Sequence, residues 1–290
     1  MNPAHARVSG YNAQPMSHLD LAVLGAGNMG RALIGGLLRQ GRRPERITVG
    51  EPSAQARQAL EREFGVRATG DNIAAVREAT VVVIAVKPQD VAAVLKPLAP
   101  ELARARPVVL SVAAGVRIAA LRSWCGTQIP VIRAMPNRPA LVGAGVSGLY
   151  APADVAPAQV DRVERVMSSV GEVVRVETEA ALDVVTALSG SGPAYFFLLA
   201  ELLAQAGTRL GLPAPTAHRL SVATLYGTGL LAHSGDGDLP RLRAEVTSKG
   251  GTTEAALRAF GAADLAGIVE RAVAAAAARG RELAQQYVAD

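Results

Sequence analysis

The stretch Leu19-Asp-Leu-Ala-Val-Leu-Gly25-Ala-Gly27-Asn-Met-Gly30 decides how this chain of 290 residues folds. Its first half is an apolar run that reads as a buried strand, and the pattern over Met29–Gln40 reads as a helix. In that helix Leu33/Leu37 and Ile34/Leu38 recur four apart, and Gly41 supplies a stop. Strand, glycine turn and helix in direct succession make a phosphate cradle. Gly25 permits the tight turn, Gly27 lets a pyrophosphate approach the backbone, and Gly30 lets helix and strand pack closely. The helix N-terminus, with Asn28 and Met29 in its first turn, offers N–H groups and partial positive charge. Gly25, Gly27, Asn28, Met29 and Gly30 are therefore expected to hold a dinucleotide.

Outward from this stretch, Leu19–Leu24, Ile47–Val49, Val81–Val86, Val108–Ser111 and Val131–Arg133 read as strands. Several are apolar throughout, as required when helices cover both faces of a parallel sheet. The alternation of strands with amphipathic stretches predicts an α/β fold, a Rossmann-type doubly wound sheet over residues 19–178. From Glu179 onward the text is helical and broken only by Gly and Pro, so residues 179–290 are expected to form an all-helical domain. Tyr195–Ala206 and Ala262–Ala278 lack a polar face. Helices of that kind need cover on all sides, which predicts an intertwined helical dimer. Residues 1–18 are polar, lack an apolar core, and read as a disordered extension.

Half of the residues are hydrophobic and 19% are charged, the balance of a globular protein. The net charge of +5 is dispersed arginine, and aromatics make up only 3%, which argues against nucleic acid as a partner. Cys125 is the only cysteine, so no intrachain disulfide forms and a reducing compartment, the cytoplasm, is expected. With no second thiol and no histidine pair at ligand spacing, no metal site is expected. No apolar run near the roughly 20 residues that cross a bilayer stands out, so no membrane is expected.

Several residues bear on the choice of dinucleotide. Glu51, ending the second strand, would bind ribose hydroxyls and favour NAD, whereas Ser53 and Arg57 would hold a 2′-phosphate and favour NADP. The same three residues would equally cap or solvate the following helix. Ala85-Val86-Lys87-Pro88 and Ser111-Val-Ala113-Ala114-Gly115 follow two further strands, at the end of the sheet where ligands bind.

Two polar segments lie far downstream. Thr186-Ala-Leu-Ser-Gly-Ser-Gly-Pro-Ala-Tyr195 opens a long helix at Pro193. Thr247-Ser248-Lys-Gly250-Gly251-Thr252-Thr253 frees the backbone with two glycines, then opens a helix with Glu254 in its first turn. That arrangement presents N–H groups to an anion such as a small carboxylate, and the same residues would also build an ordinary capped helix.

With the glycine fingerprint, these segments resemble pyrroline-5-carboxylate reductase in both domains and in order, from Leu19 to Leu283. The resemblance implies a hydride transferred from NADPH, with NADH as the alternative, to the cyclic imine 1-pyrroline-5-carboxylate. It places Asn72, Ala85, Val86, Lys87, Pro88, Ala113 and Ala114 along the cofactor, and its usual serine and basic groups at Ser53 and Arg57 favour NADPH. It implies that Ser248, Gly250, Gly251 and Thr252 bind the substrate carboxylate through the loop, that Thr253 bonds the ring nitrogen as the catalytic residue, and that Glu179 contacts substrate. It also implies a homodimer and a decamer of five dimers. Three residues depart from the family pattern: Lys249 stands for the usual proline, Arg138 for a frequent threonine, and Glu245 for an amide.

Three rivals remain. A β-hydroxyacid dehydrogenase would use a lysine on a C-terminal helix, but after residue 150 the chain has only Lys249, in a glycine loop. A non-catalytic nucleotide-binding scaffold would not need an intact Gly250-Gly251-Thr252-Thr253. A six-membered imine is the third.

Overall fold

A computed structural model describes residues 20–235 and 237–287, so the predicted extension over 1–18 lies outside the described residues. Eight strands form one sheet: β1 Leu21–Leu24, β2 Ile47–Gly50, β3 Arg67–Thr69, β4 Val81–Ile84, β5 Val108–Ser111, β6 Val131–Pro136, β7 Gly145–Tyr150 and β8 Gly171–Arg175. Their order is β3-β2-β1-β4-β5-β6-β7-β8. Strands β1 to β6 run parallel; β7 is antiparallel to β6, and β8 is parallel to β7. The order reverses between β1 and β4, so a crevice opens beyond their carboxyl ends.

Strands β3, β7 and β8 were not expected from the sequence, for physical reasons. β3 is three residues long and lies on one edge. β7 is diluted by Gly145, Ser147 and Gly148. β8 is the other edge, largely exposed and carrying Glu172 and Arg175, as edge strands do to deter further pairing.

The sheet is covered on both faces, and each strand alternates between layers. Leu21 and Val23 join Leu33 and Leu37 of α1 (Asn28–Arg39), Leu60 of α2 (Ala54–Phe64) and, further along the chain, Val163 near the sheet's far edge. Ala22 and Leu24 face the opposite layer, with Val76 of α3 (Asn72–Val76), Leu95 of α4 (Val91–Leu95), Leu102 of α5 (Ala99–Ala105) and Leu121 of α6 (Ile118–Cys125). Val163 belongs to α7 (Pro157–Met167).

The C-terminal half is helical: α8 Ala181–Val185, a π-helical turn over Thr186–Gly190, α9 Gly192–Arg209, α10 Ala214–Ser234, α11 Leu239–Glu245, α12 Thr252–Ala262 and α13 Leu265–Gln285. The expected helix over Ala262–Ala278 is divided. Asp264 takes a left-handed conformation, φ +52°, and its carboxylate accepts the Gly267 N–H, capping α13. α9 packs on α10, α12 on α13, and α13 returns to α8 and the π turn.

Within one chain most of α9 is exposed although it is apolar; Phe196 and Phe197 are 61% and 60% exposed. One helical run, Ala181–Arg209, is long and apolar enough to cross a membrane by length and composition. The sequence reading missed it because α8, the π turn and α9 run on continuously, joining segments that looked separate.

Candidate cofactor and substrate sites

The glycine turn sits where β1, β2 and β4 end. Gly25 donates its N–H to the Gly50 carbonyl at 2.9 Å, and Ala85 donates to Leu24 at 2.8 Å. Gly25 has φ +100°, and a Cβ there would lie 2.8 Å from the Ala85 carbonyl oxygen and from Val86 Cγ1. Gly30 packs against the carbonyl of Gly25. Gly27 behaves differently: as the N-cap of α1 it is exposed, and a Cβ there would have no neighbour within 4 Å. No side chain caps this helix. Its opening amides, those of Asn28, Met29 and Gly30, therefore have no capping side chain, and the open space at Gly27 beside them fits a dinucleotide pyrophosphate.

Glu51 reaches back over the turn. Its Oε2 accepts the Ala26 N–H at 3.2 Å and its Oε1 the Ser53 N–H at 3.0 Å. The Ser53 hydroxyl accepts the Ala56 N–H and caps α2. Arg57 donates from Nη1 to the carbonyls of Glu51 and Pro52, both at 2.8 Å. A carboxylate and a guanidinium thus flank the end of β2. Asn72 opens α3 with its Oδ1 over Gly50. Lys87 follows β4, exposed and without a salt bridge among the described residues; Pro88 is half-buried beside it. Ala113 is buried, Ala114 half-buried, just past β5. The expected cofactor residues therefore gather at the carboxyl ends of β1, β2, β4 and β5.

Glu179 is engaged within the chain. Its Oε1 accepts the Ile118 N–H at 2.7 Å and Arg133 Nη1 at 2.8 Å. Next to it Arg117 Nη2 donates to Asp183 Oδ2 at 2.5 Å, and Arg117 Nη1 to the Glu179 carbonyl at 3.3 Å. Burial lowers the Arg133 pKa, and the hydrogen bond it donates to Glu179 opposes that shift. Sequence reasoning missed Arg117, Arg133 and Asp183. The signal was present in Arg133, a charged residue inside the apolar run Val131–Pro136.

The loop before α12 is a self-bonded turn. Gly250, at φ +73°, donates its N–H to Glu254 Oε2 at 2.6 Å, and Gly251 donates to the Ser248 carbonyl at 3.0 Å. Both glycine amides are thus engaged within the chain. The donors left at the opening of α12 include the amides and hydroxyls of Thr252 and Thr253, first and second residues of the helix, with the Glu254 amide behind them. In the single chain Ser248, Lys249, Gly250 and Thr252 are exposed, and α12 rests on α13. Glu245 pairs with Arg241 at 2.6 Å, and Arg138 is exposed just past β6. No group of three or more His, Cys, Asp or Glu residues able to hold a metal occurs among the described residues.

A glycine cradle at a sheet switch point, followed by an apolar helical half, defines a two-part NAD(P)-dependent oxidoreductase. Residues 20–115 match the family model described as NADP oxidoreductase coenzyme F420-dependent, and residues 179–283 match the model for pyrroline-5-carboxylate reductase dimerisation. A pyrroline-5-carboxylate reductase of Pseudomonas aeruginosa is 45% identical, over 93% of this chain and 99% of its own length. The solved reductase of Coxiella burnetii superposes with a TM-score of 0.89 at 37% identity, covering 91% of this chain and 98% of that one. That of Plasmodium falciparum, solved with NADP bound, gives 0.80 at 26% identity over 93% and 100%. The chain belongs to the pyrroline-5-carboxylate reductase family.

Proposed function

We propose that this chain reduces 1-pyrroline-5-carboxylate to L-proline, the last step of proline biosynthesis, using NADPH in preference to NADH. The observation that carries this reading is the full-length likeness to reductases of that name, joined to an intact Gly250-Gly251-Thr252-Thr253 turn. A non-catalytic scaffold would have no use for that turn, and the chain-long relatives are reductases rather than alcohol dehydrogenases.

When bound, the nicotinamide would supply the hydride for the imine carbon. The chain's task is to hold two reactants in contact geometry, a contribution worth up to about 7–11 kcal/mol. On the cofactor side, Gly25, Gly27, Asn28, Met29 and Gly30 hold the pyrophosphate, and Ser53 with Arg57 hold the 2′-phosphate. Asn72, Ala85, Val86, Lys87, Pro88, Ala113 and Ala114 line the rest of the crevice. On the substrate side the hydrogen bonds favour a division of labour. Ser248, Gly250 and Gly251 shape the turn, while the free amides of Thr252 and Thr253 take the carboxylate. The Thr253 hydroxyl holds the ring nitrogen, keeping it protonated and the adjacent carbon electron-poor. The apolar faces of α9, α10 and α13 support a homodimer at least, assembled further into five dimers, and the exposed turn is completed across that interface. The lone buried Cys125 fits the cytoplasm.

The test is cofactor oxidation, followed by its near-ultraviolet absorbance, with purified chain and pyrroline-5-carboxylate, and with the six-membered piperideine carboxylate in parallel. No imine-dependent loss of NADPH would end the proposal, and a higher kcat/KM for the six-membered ring would reassign the substrate.

A further inference from the structure

Glu179 and Asp183 stand at the start of the helical half, one turn apart, and both bond arginines of the sheet domain. The Arg133 side chain is 5% exposed, so its charge depends on Glu179, the one carboxylate paired with it among the described residues. Glu179 Oε1 already accepts two donors, from Arg133 and from the first amide of α6.

The same strand carries a second fastening. Two residues after Arg133, Met135 meets Gly190, where a Cβ would lie 2.9 Å from Met135 Cε. Between the two fastenings runs the π turn, closed by the Ser191 N–H donating to Thr186 at 2.8 Å. Tyr195 braces it by donating its hydroxyl to the Ala187 carbonyl at 3.0 Å. A π turn has wider hydrogen-bond rings than an α-helix and is rare without outside support. Here β6 meets it directly at Gly190 and holds, through Glu179, the segment that leads into α8 and the turn; the carboxyl end of β6 leads toward the ligand crevice.

We propose that Glu179 is a positioning residue that acts through Arg133 and the Ile118 amide. It sets the register of the Thr186–Gly190 turn against β6, on the side of the sheet's carboxyl ends where the ligand crevice opens. This rests on the reductase reading given above. A simple structural ion pair would be replaceable by apolar residues of similar size with stability kept. A register pin would not be, because apolar packing is non-directional and does not fix one hydrogen-bonded alignment.

The test uses the full-length oligomer as Glu179→Gln, Arg133→Met, their double variant and the apolar pair Glu179→Leu/Arg133→Met. Amide hydrogen exchange is read on the free protein, and kcat at saturating substrates, with NADPH affinity by fluorescence. Exchange over residues 186–191 should quicken by about tenfold in Glu179→Gln while β1 and β4 keep wild-type protection. kcat should fall at least about fivefold, with NADPH affinity unchanged. The double variant should be little slower than Arg133→Met alone, since a glutamine at 179 still accepts the Ile118 amide and the remaining loss is the shared contact with Arg133. If Glu179→Gln folds poorly, the apolar pair should restore the melting temperature and still show fast exchange and low kcat. Unchanged exchange, or additive losses in the double variant, would overturn the proposal and return Glu179 to direct substrate contact. A wild type inert toward the imine would instead count against the reductase reading, and the exchange data would still decide the role of Glu179.

Discussion

A Cβ built on Gly30 would lie 2.2 Å from the carbonyl oxygen of Gly25, whereas one built on Gly27 would touch nothing within 4 Å. Two glycines of one motif therefore serve different ends, the first packing and the second ligand access. Gly30→Ala should force the turn away from α1 and cost about 1–3 kcal/mol of stability, seen as a lower melting temperature. Gly27→Ala should leave the free protein's melting temperature nearly unchanged. Its methyl group would stand in the pyrophosphate space, so NADPH affinity should drop at least about tenfold, or 1.4 kcal/mol. Equal effects of the two substitutions on stability would refute the distinction.

Glu51 and Arg57 divide the cofactor in a comparable way. Glu51 bonds the Ala26 amide of the glycine turn, so Glu51→Ala should loosen the cradle for NADH and NADPH alike. Arg57 is held in place by the Glu51 and Pro52 carbonyls, with other guanidinium donors left for an anion. Arg57→Met should raise the KM for NADPH by about tenfold, the loss of a charge-assisted bond, and leave that for NADH within about twofold. Steady-state kinetics with both cofactors measures this, and a parallel rise for NADH would remove Arg57 from the 2′-phosphate site.

The parts legible in the sequence were those dictated by local pattern. β1 and β4 are apolar throughout, and β5 up to Ser111, because both faces are covered, and α1 carries an apolar stripe because one face meets the sheet. β7 and β8 escaped notice because their pairing depends on partners far along the chain, and their glycines and charges mute the pattern. The use of Glu179 by Arg133 was hidden for the same reason: 46 residues separate them in sequence. The engagement of the Gly250 amide by Glu254 was within reach, since a glutamate in the first turn of a helix often folds back on the preceding amides.

Cys125 is fully buried, and that burial pushes its thiol up to about 11 from an ordinary 9.0. The neutral form is thus favoured more in the folded state than in the unfolded one. The resulting stability is fully present below pH 9 and is lost as pH rises toward 11. Native protein at neutral pH should leave a disulfide reagent unreacted and consume it on unfolding. In alkaline melts, Cys125→Ala should flatten the decline in stability above pH 9. Rapid labelling of the native thiol would contradict its burial.

Phe196 and Phe197 lie on α9, two large apolar side chains exposed in the single chain. Covering one phenylalanine contributes about 1.5–3 kcal/mol, and burying a charge in its place costs more than that. Phe197→Glu should lower the mass found by light scattering to that of a monomer. Activity should disappear with it if the substrate turn is completed by a second copy. A monomeric variant that kept full kcat/KM would show that the site belongs to one chain.

Thr253 is the second residue of α12, half-buried, and its hydroxyl makes no hydrogen bond among the described residues. In the same turn the Gly250 amide is satisfied by Glu254 and the Gly251 amide by Ser248, so neither glycine amide is open to the substrate. The ring nitrogen, once protonated, has only an N–H to offer, so the hydroxyl oxygen would accept it and hold the reactive iminium in place; Thr253→Ala should lower kcat/KM at least tenfold, about 1.4 kcal/mol. Thr253→Ser keeps the hydroxyl and should recover most of that loss, while Thr253→Val keeps the shape and should not. Thr252→Ala removes a hydroxyl but leaves the backbone amide, and should act mainly on the KM for the imine. If valine performs as well as serine at position 253, the side chain only fills space, and the ring nitrogen must find its partner in another residue or in solvent.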